Sequence, residues 1–220
     1  MVFMQIAIDG PAGAGKSTIA KLLAKKLGFI YIDTGAMYRA LALKALANGI
    51  DCDDTEAIVA MAKSSKIHFT NHKAIFHIYL DNEDVTDKIR TPEVSRYVSK
   101  LASHPLVREI MVEEQKELAK ATAVVMDGRD IGECVLPNAD YKFFITASLA
   151  ERTSRRILEL SKLGHNIDYE ELKDEIAKRD KNDENREVGA LKILDDSIVI
   201  DTTGKSIEEV LAEVSGIIRE

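Results

Sequence analysis

The chain is poor in the features that would take it out of an ordinary folded class. Of its 220 residues only two are cysteine and four are proline. Cys52 and Cys134 fit neither a paired metal spacing nor a disulfide framework, and read as reduced structural thiols, with a regulatory thiol as the alternative. No apolar run is long enough to cross a bilayer, and Met1-Val2-Phe3 leads into the first strand without a basic or signal-like stretch, which predicts a cytoplasmic location. Internal repeats and low-complexity segments are absent. A surplus of positive charge is missing too: 30 Lys and Arg against 37 Asp and Glu leave a formal charge of −7. That argues against non-specific nucleic-acid binding through counterion release, so any anion site must be built locally from a few placed arginines. What remains is a hydrophobic content of 45%, enough for a real core in one large domain or in a core carrying an insert.

The residues that are present say most near the amino end. Met4-Gln5-Ile6-Ala7-Ile8-Asp9 reads as a buried strand, Gly10-Pro11-Ala12-Gly13-Ala14-Gly15 as a glycine-rich turn, and Lys16-Ser17-Thr18 as the opening of a helix. Residues 10–17 fit G-x-x-x-x-G-K-[ST]. Gly10, Gly13 and Gly15 permit a turn with no Cβ in the way, so that backbone N–H groups converge on phosphate oxygens. Lys16 is placed to neutralise β- and γ-phosphates, and the Ser17 hydroxyl to ligate Mg2+. The helix buries Ile19, Leu22, Leu23 and Leu27 at helical spacing and stops at Gly28, aiming its positive end at the same anion. The segment therefore reads as a nucleoside-triphosphate cradle; a Gly/Ala-rich loop with an incidental lysine would need neither the flanking strand nor the helix.

Short continuous apolar runs follow at residues 29–33, 123–127, 141–145 and 197–201, of the kind expected for strands buried on both faces of a parallel sheet. They alternate with helical stretches near 36–48, 92–103, 105–121, 148–163, 168–185 and 205–219, which predicts a doubly wound α/β core. Residues 64–90 break the pattern. Lys66-Ile67-His68-Phe69-Thr70, the turn residues Asn71-His72-Lys73, Ala74-Ile75-Phe76-His77-Ile78-Tyr79-Leu80 and Asp81-Asn82-Glu83 predict a small antiparallel meander. His68, His72 and His77 lie across that hairpin with no carboxylate or thiol pattern to complete a metal site, and read as strand histidines.

Three polar segments are placed for an acceptor. Asp33-Thr34-Gly35-Ala36-Met37-Tyr38-Arg39 leaves the carboxyl end of the second strand, where ligands gather in open α/β sheets. Its alternative reading is a helix cap at Thr34 with Tyr38 and Arg39 on the surface. The strand ending at Asp127 runs into Gly128-Arg129-Asp130-Ile131-Gly132, a charged loop at the same sheet edge. Residues 179–186 carry Arg179, Asp183 and Arg186, preceded by Glu151-Arg152-Thr153-Ser154-Arg155-Arg156. At helical spacing Arg152 and Arg156 share a face, as do Arg179 and Asp183, so each pair can point into one site. A solvated charge run is the alternative for residues 179–186.

With these motifs in this order, the chain resembles the bacterial cytidylate kinases, nucleoside monophosphate kinases of the P-loop class, over essentially its whole length. The family often has serine where this chain has Thr34, and both supply a hydroxyl. The resemblance implies an α/β fold, a three-layer parallel P-loop core flanked by helices with a small antiparallel β insert in the monophosphate-binding region. It implies one domain over 1–220, with core segments 1–35, 105–147 and 187–220, a monophosphate-binding region 36–104 and a short mobile lid at about 148–186. It further implies Thr34, Arg108 and Asp130 on cytosine, Ser99, Arg179 and Asp183 on the sugar, and Arg39, Arg129 and Arg186 on the monophosphate, with Tyr38 beside them. ATP would bind residues 10–18, including Pro11, Ala12, Ala14 and Thr18, with its adenine near Asp201-Thr202-Thr203-Gly204-Lys205. Lys16, Arg129, Arg152, Arg156 and Arg186 would bear the charge of the transferring group.

A carboxylate at Asp130 suits this acceptor, because cytosine offers an N4 amino donor where uracil offers an O4 acceptor. Arg152 and Arg156 have no partner evident in the sequence, so phosphates are expected to order the lid. The expected activity is in-line transfer of the γ-phosphoryl group of Mg-ATP to CMP and dCMP, by a cytoplasmic monomer whose partners are small molecules, with neither nucleic acid nor membrane involved. Two other readings stay open: a different P-loop small-metabolite kinase, such as a shikimate or dephospho-coenzyme A kinase, and a non-catalytic ATP-binding regulatory module.

Overall fold

A computed structural model describes residues 3–72, 75–162, 164 and 167–218. Met1 and Val2, the Lys73-Ala74 step of the expected hairpin, and Leu163 and Arg219 at the ends of expected helices lie outside the described residues. The strands are β1 Gln5–Asp9, β2 Ile30–Asp33, β3 Ile67–His72, β4 Ile75–Leu80, β5 Glu83–Asp84, β6 Val124–Asp127, β7 Tyr141–Thr146 and β8 Ile198–Asp201. The helices are α1 Lys16–Leu27, α2 Thr34–Ala47, α3 Thr55–Ser64, α4 Pro92–Leu101, α5 Pro105–Ala119, α6 Leu149–Lys162, α7 Tyr169–Glu184 and α8 Ile207–Ile217.

Five strands form one sheet in the order β2-β6-β1-β7-β8, with β1 parallel to β6 and β7, and β7 parallel to β8. This is the α/β core expected from the alternation of apolar runs and helices. Interior strands are covered on both faces: β6 is buried throughout and β1 from Ile6 onward. The edge strands are not, since Ile30 in β2 is 44% exposed and Val199 in β8 is 48% exposed. The runs at 29–33 and 197–201 are thus only partly buried, because an edge strand has one neighbour and less cover. In α1 the buried stripe is Ile19, Ala20, Leu23 and Ala24, while Leu22 and Leu27 are half-buried. Alanines set the close approach of this helix to the sheet, and Gly28 ends it in a left-handed conformation, its N–H donating to the Ala24 carbonyl.

The chain divides into two compact units, Met1–Tyr31 with Thr122–Glu220, and Ile32–Ala121. The first holds most of the parallel sheet with α1, α6, α7 and α8. The second holds α2 to α5 and a three-stranded antiparallel sheet in the order β3-β4-β5, the insert expected at 64–90. Consecutive residues Asp81 and Asn82 have φ of 50° and 71°, the left-handed pair that a two-residue turn requires between β4 and β5. Met37, Leu41, Ile58, Val94, Leu101 and Met111 form the main core of this unit. Ala36 and Ala40 of α2 pack with Ile78 and Leu80 of β4 in a second cluster.

Three elements are not predicted by the sequence pattern. One is α3, capped by Asp54, whose side chain accepts the Ala57 N–H; the Asp-Thr-Glu start and the spacing of Ile58, Met61 and Ala62 were its signals. The others are a 3-10 turn at Lys88–Arg90, where the pattern predicts the end of the meander, and a single π-helical turn at Ile131–Val135, where it predicts only a loop.

Candidate active site

The carboxyl ends of β1 and β6 lie side by side, with Ile8 opposite Asp127. The turn that leaves β1 is held by left-handed glycines: Gly10, Gly13 and Gly15 have φ of 143°, 77° and 92°. At Gly10 a Cβ would lie 1.9 Å from the Ile145 carbonyl oxygen, and at Gly13 it would lie 3.2 Å from Arg152 Cβ. Only glycine lets β7 and α6 approach the turn this closely. Gly15 caps α1, and the helix presents its first N–H groups to the space enclosed by the turn.

Lys16 Nζ donates to the Pro11 carbonyl at 2.7 Å, and the residue is buried. Burial, then the charge of Arg129, pushes its ammonium well below the ordinary lysine range, against the pull of Asp127 and Asp9. A bound polyphosphate would reverse that balance by supplying the missing anion. Ser17 Oγ donates to Asp127 Oδ2 at 2.7 Å, and the Tyr31 hydroxyl donates to Asp127 Oδ1 at 2.7 Å. A hydroxyl and a carboxylate beside a phosphate cradle are the hard oxygen donors that Mg2+ takes, so the residues fit that ion. Asp127 joins Ser17 here, a role that its place at the end of a strand does not announce.

The charged loop after β6 meets α7 at one carboxylate. Arg129 Nε donates to Asp183 Oδ2 at 2.8 Å, and Arg186 Nη2 donates to Asp183 Oδ1. Burial alone would raise the Asp183 carboxyl, but Arg129, Arg186 and Arg179 outweigh it and hold it below the usual carboxylate range. Arg129 is itself raised despite its burial, chiefly by Asp183. The structure thus gathers Arg129, Arg179, Asp183 and Arg186 at one node; the solvated-run reading of residues 179–186 holds for the exposed Lys181, Asn182, Glu184 and Asn185 but not for Asp183, which is fully buried. Asp130 is also buried.

The arginines of α6, for which the sequence offers no evident partner, are paired in the structure, and Arg152 and Arg156 take different partners. Arg152 Nη1 donates to Asp180 Oδ2 at 2.6 Å and to the Ala12 carbonyl at 3.1 Å, and Nε donates to the Ala147 carbonyl at 3.0 Å. It braces the phosphate turn against α7. Arg156 Nη1 donates to Glu159 Oε2 at 2.7 Å. The arginine between them, Arg155, reaches Thr202 through Oγ1 at 2.9 Å and the carbonyl at 2.8 Å. Thr202 Oγ1 in turn donates to the Ala14 carbonyl at 3.1 Å. The turn after β8 is therefore tied to the phosphate loop, a link that no local pattern announced.

In the second unit, Asp33 rather than Thr34 caps α2: its Oδ1 accepts the Ala36 N–H at 2.8 Å, and its Oδ2 accepts from Arg39 Nη2 at 3.0 Å. Thr34 is buried in the first turn. The Arg108 guanidinium lies 5.6 Å from the centroid of the Tyr38 ring and donates to the Ala102 carbonyl at 3.1 Å. Ser99 Oγ, on α4, is buried with no hydrogen-bond partner among the described residues. Of the histidines, His68 stacks on Tyr79 with centroids 4.8 Å apart, and His77 Nδ1 lies 2.8 Å from Asp84 Oδ2.

A family profile described as cytidylate kinase matches residues 6–220. The chain belongs to the cytidylate kinase family. It is 55% identical over 211 residues to the cytidylate kinase of Caldicellulosiruptor bescii, covering 96% of this chain and 93% of that protein. It is 52% identical over 211 residues to the cytidylate kinase of Bacillus pumilus, covering 96% and 94%. Among solved structures, an uncharacterized protein from Eubacterium ventriosum shares the fold, with a TM-score of 0.53 and 15% identity over 98% of this chain and 97% of that one. No helix among the described residues is long and apolar enough to cross a membrane.

For this cytidylate kinase family member, the site residue most hidden from sequence is Asp9, the last residue of β1. Its Oδ1 accepts the Ile131 N–H and its Oδ2 the Gly132 N–H, each at 2.8 Å. Burial pushes its carboxyl from 3.8 up to about 6, against the pull of those two N–H groups and of Lys16. Folded Asp9 therefore holds its proton more tightly than unfolded Asp9. Its contribution to stability is complete below pH 3.8 and is lost as the pH rises through about 6. The loss approaches about 3 kcal/mol, or about 5–10 °C in melting temperature. Between pH 4 and pH 7 the wild type should lose that much relative to Asp9→Asn; a constant difference in melting temperature would refute the shift.

Proposed function

We propose that this chain transfers the γ-phosphoryl group of Mg-ATP to CMP and dCMP, yielding CDP and dCDP, as a cytoplasmic enzyme of pyrimidine nucleotide metabolism. One observation carries the reading: a complete phosphate cradle, with Lys16 and the Ser17–Asp127 pair at its mouth, in a chain of the cytidylate kinase family. Residues 10–18 take the ATP phosphates, and the turn at residues 201–205, already tied to the loop through Thr202, takes the adenine. Ser17, backed by Asp127, would hold Mg2+, which when bound would supply charge neutralisation at the phosphates. Phosphoryl transfer asks for positioning and cations rather than covalent work, and the attacking monophosphate oxygen is already anionic, so no general base is required.

The acceptor contacts are assigned to Thr34, Arg108 and Asp130 for cytosine, to Ser99, Arg179 and Asp183 for the sugar, and to Arg39, Arg129 and Arg186 for the monophosphate, with Tyr38 supporting Arg108. Asp183 also neutralises Arg129 and Arg186 before substrate arrives. Residues 36–104 form the monophosphate-binding region and residues 148–186 the lid, closure of which excludes water from the transferring group. Arg152 and Arg156 serve the lid, and Arg152 does so by bracing the Ala12 carbonyl. The partners are small nucleotides, and the enzyme acts as a monomer.

The test is base discrimination. Asp130→Asn removes the charge and half the accepting capacity facing the cytosine N4 amino group, and relieves repulsion of the uracil O4. A charge-assisted hydrogen bond in a closed site is worth about 1.5–3 kcal/mol, so the CMP-to-UMP ratio of kcat/KM should fall about tenfold or more. Coupled ADP-release assays with CMP, dCMP, UMP, AMP, GMP and shikimate measure it. Turnover with none of the monophosphates would sink the enzymatic reading, and an unchanged ratio would move base recognition to other residues.

A further inference from the structure

We infer that Asp9 is the positioning residue for acceptor-base recognition, holding Asp130 in its reading conformation while its own backbone begins the phosphate turn. The inference rests on the assignment of Asp130 to the cytosine. The peptide group between Asp130 and Ile131 is pinned at both polar ends: the Ile131 N–H donates to Asp9 Oδ1 at 2.8 Å, and the Asp130 carbonyl accepts the Cys134 N–H at 2.8 Å. Asp130 itself sits at φ −145° and ψ 26°, outside the helical and extended wells, so ordinary local structure does not hold it there. The second Asp9 oxygen takes the next N–H, of Gly132. Two parallel N–H bonds to one carboxylate fix the loop's rotation as well as its distance.

The packing around Gly132 shows how little freedom this contact has. A Cβ there would meet Lys142 Cδ at 3.1 Å, Leu194 Cδ1 at 3.3 Å and Asp9 Oδ2 at 3.4 Å. Gly10, which follows Asp9, starts the phosphate turn and admits no side chain. One residue thus joins the donor-binding turn to the loop that carries Asp130 and Arg129, and a displacement of its carboxylate moves the base reader without touching either substrate.

The experiment measures kcat and KM for CMP, UMP and ATP in the wild type, Asp9→Asn and Gly132→Ala. Asparagine keeps one acceptor and turns its amino group against the other N–H, so KM for CMP should rise and the CMP-to-UMP ratio of kcat/KM should fall about fivefold or more, with KM for ATP within about twofold of wild type. Gly132→Ala crowds Lys142 Cδ and Leu194 Cδ1 and so shifts the loop against an intact Asp9 carboxylate, and should lower the ratio in the same direction; it carries the test if Asp9→Asn does not fold. A brace that merely stabilised the loop would lower the melting temperature and kcat for both nucleotides in proportion, and an unchanged ratio in the folded variants overturns the inference. Asp130→Asn run alongside separates the two failures. If it shifts the ratio and Asp9→Asn and Gly132→Ala do not, only the positioning role is lost; if it leaves the ratio unchanged, the base assignment is lost with it.

Discussion

Lys16→Ala should abolish nearly all phosphoryl transfer, lowering kcat by about a hundredfold or more, because removing one preorganised charge from a closed site costs about 3–4 kcal/mol in the transition state. The same substitution should leave the melting temperature at pH 7 unchanged or raised. Burial disfavours the charged form of Lys16 and lowers its pKa to about 7, so in the absence of nucleotide folding either holds this cation at a cost or strips its proton, a cost that alanine does not carry. The carbonyl of Pro11 loses one donor, a smaller loss. Coupled ADP-release assays beside thermal unfolding monitored by circular dichroism check both halves. More than a tenth of wild-type kcat would remove Lys16 from the mechanism, and a collapse in melting temperature would reassign it to the scaffold.

Asp183→Ala should have the largest effect on stability. The Asp183 side chain is 1% exposed and that of Arg186 is 6% exposed, and Asp183 receives both Arg129 and Arg186. Deleting the carboxylate leaves two guanidinium groups facing each other across its place, which costs about 3–5 kcal/mol for a broken buried pair. For a chain of this size the melting temperature should fall by roughly 10 °C. Asp183→Asn should fall less, because it keeps the shape and one acceptor. The pH dependence has a fixed sign: the folded pKa of Asp183 lies below 3.8, so its contribution is present above that pH and is lost only as the pH falls further. Melting curves at pH 7 should separate wild type from both variants, and equal melting temperatures for wild type and Asp183→Ala would show that the arginines have other sufficient partners.

The site was legible wherever its chemistry is written in a few consecutive residues. Residues 10–17 announced the cradle because the glycines, the lysine and the serine act through one turn and one helix end, and the backbone alone places them. The loop at 128–132 and the run at 179–186 were legible as concentrated charge. What they would meet was not. Arg152 and Arg156, four apart on α6, were expected to act together, yet Arg152 turns inward to Asp180 and the Ala12 carbonyl while Arg156 pairs with Glu159. Arg155, one position away, took the contact with Thr202. Helical spacing gives the relative directions of side chains; which face is covered depends on the neighbouring segments.

By itself, then, the sequence determined the α/β class, the antiparallel insert, the phosphate turn and the helix it opens, because each follows from local conformational preference and the period of the apolar residues. Sheet order decided the rest. Placing β6 beside β1 brings Asp127 to Ser17, 110 positions away, and Asp9 to Ile131, 122 positions away. Those separations carry no periodic signal. A buried carboxylate finds its donor only when the folded chain has excluded the water that would otherwise serve it, and that exclusion is a property of the packed sheet rather than of any segment in it.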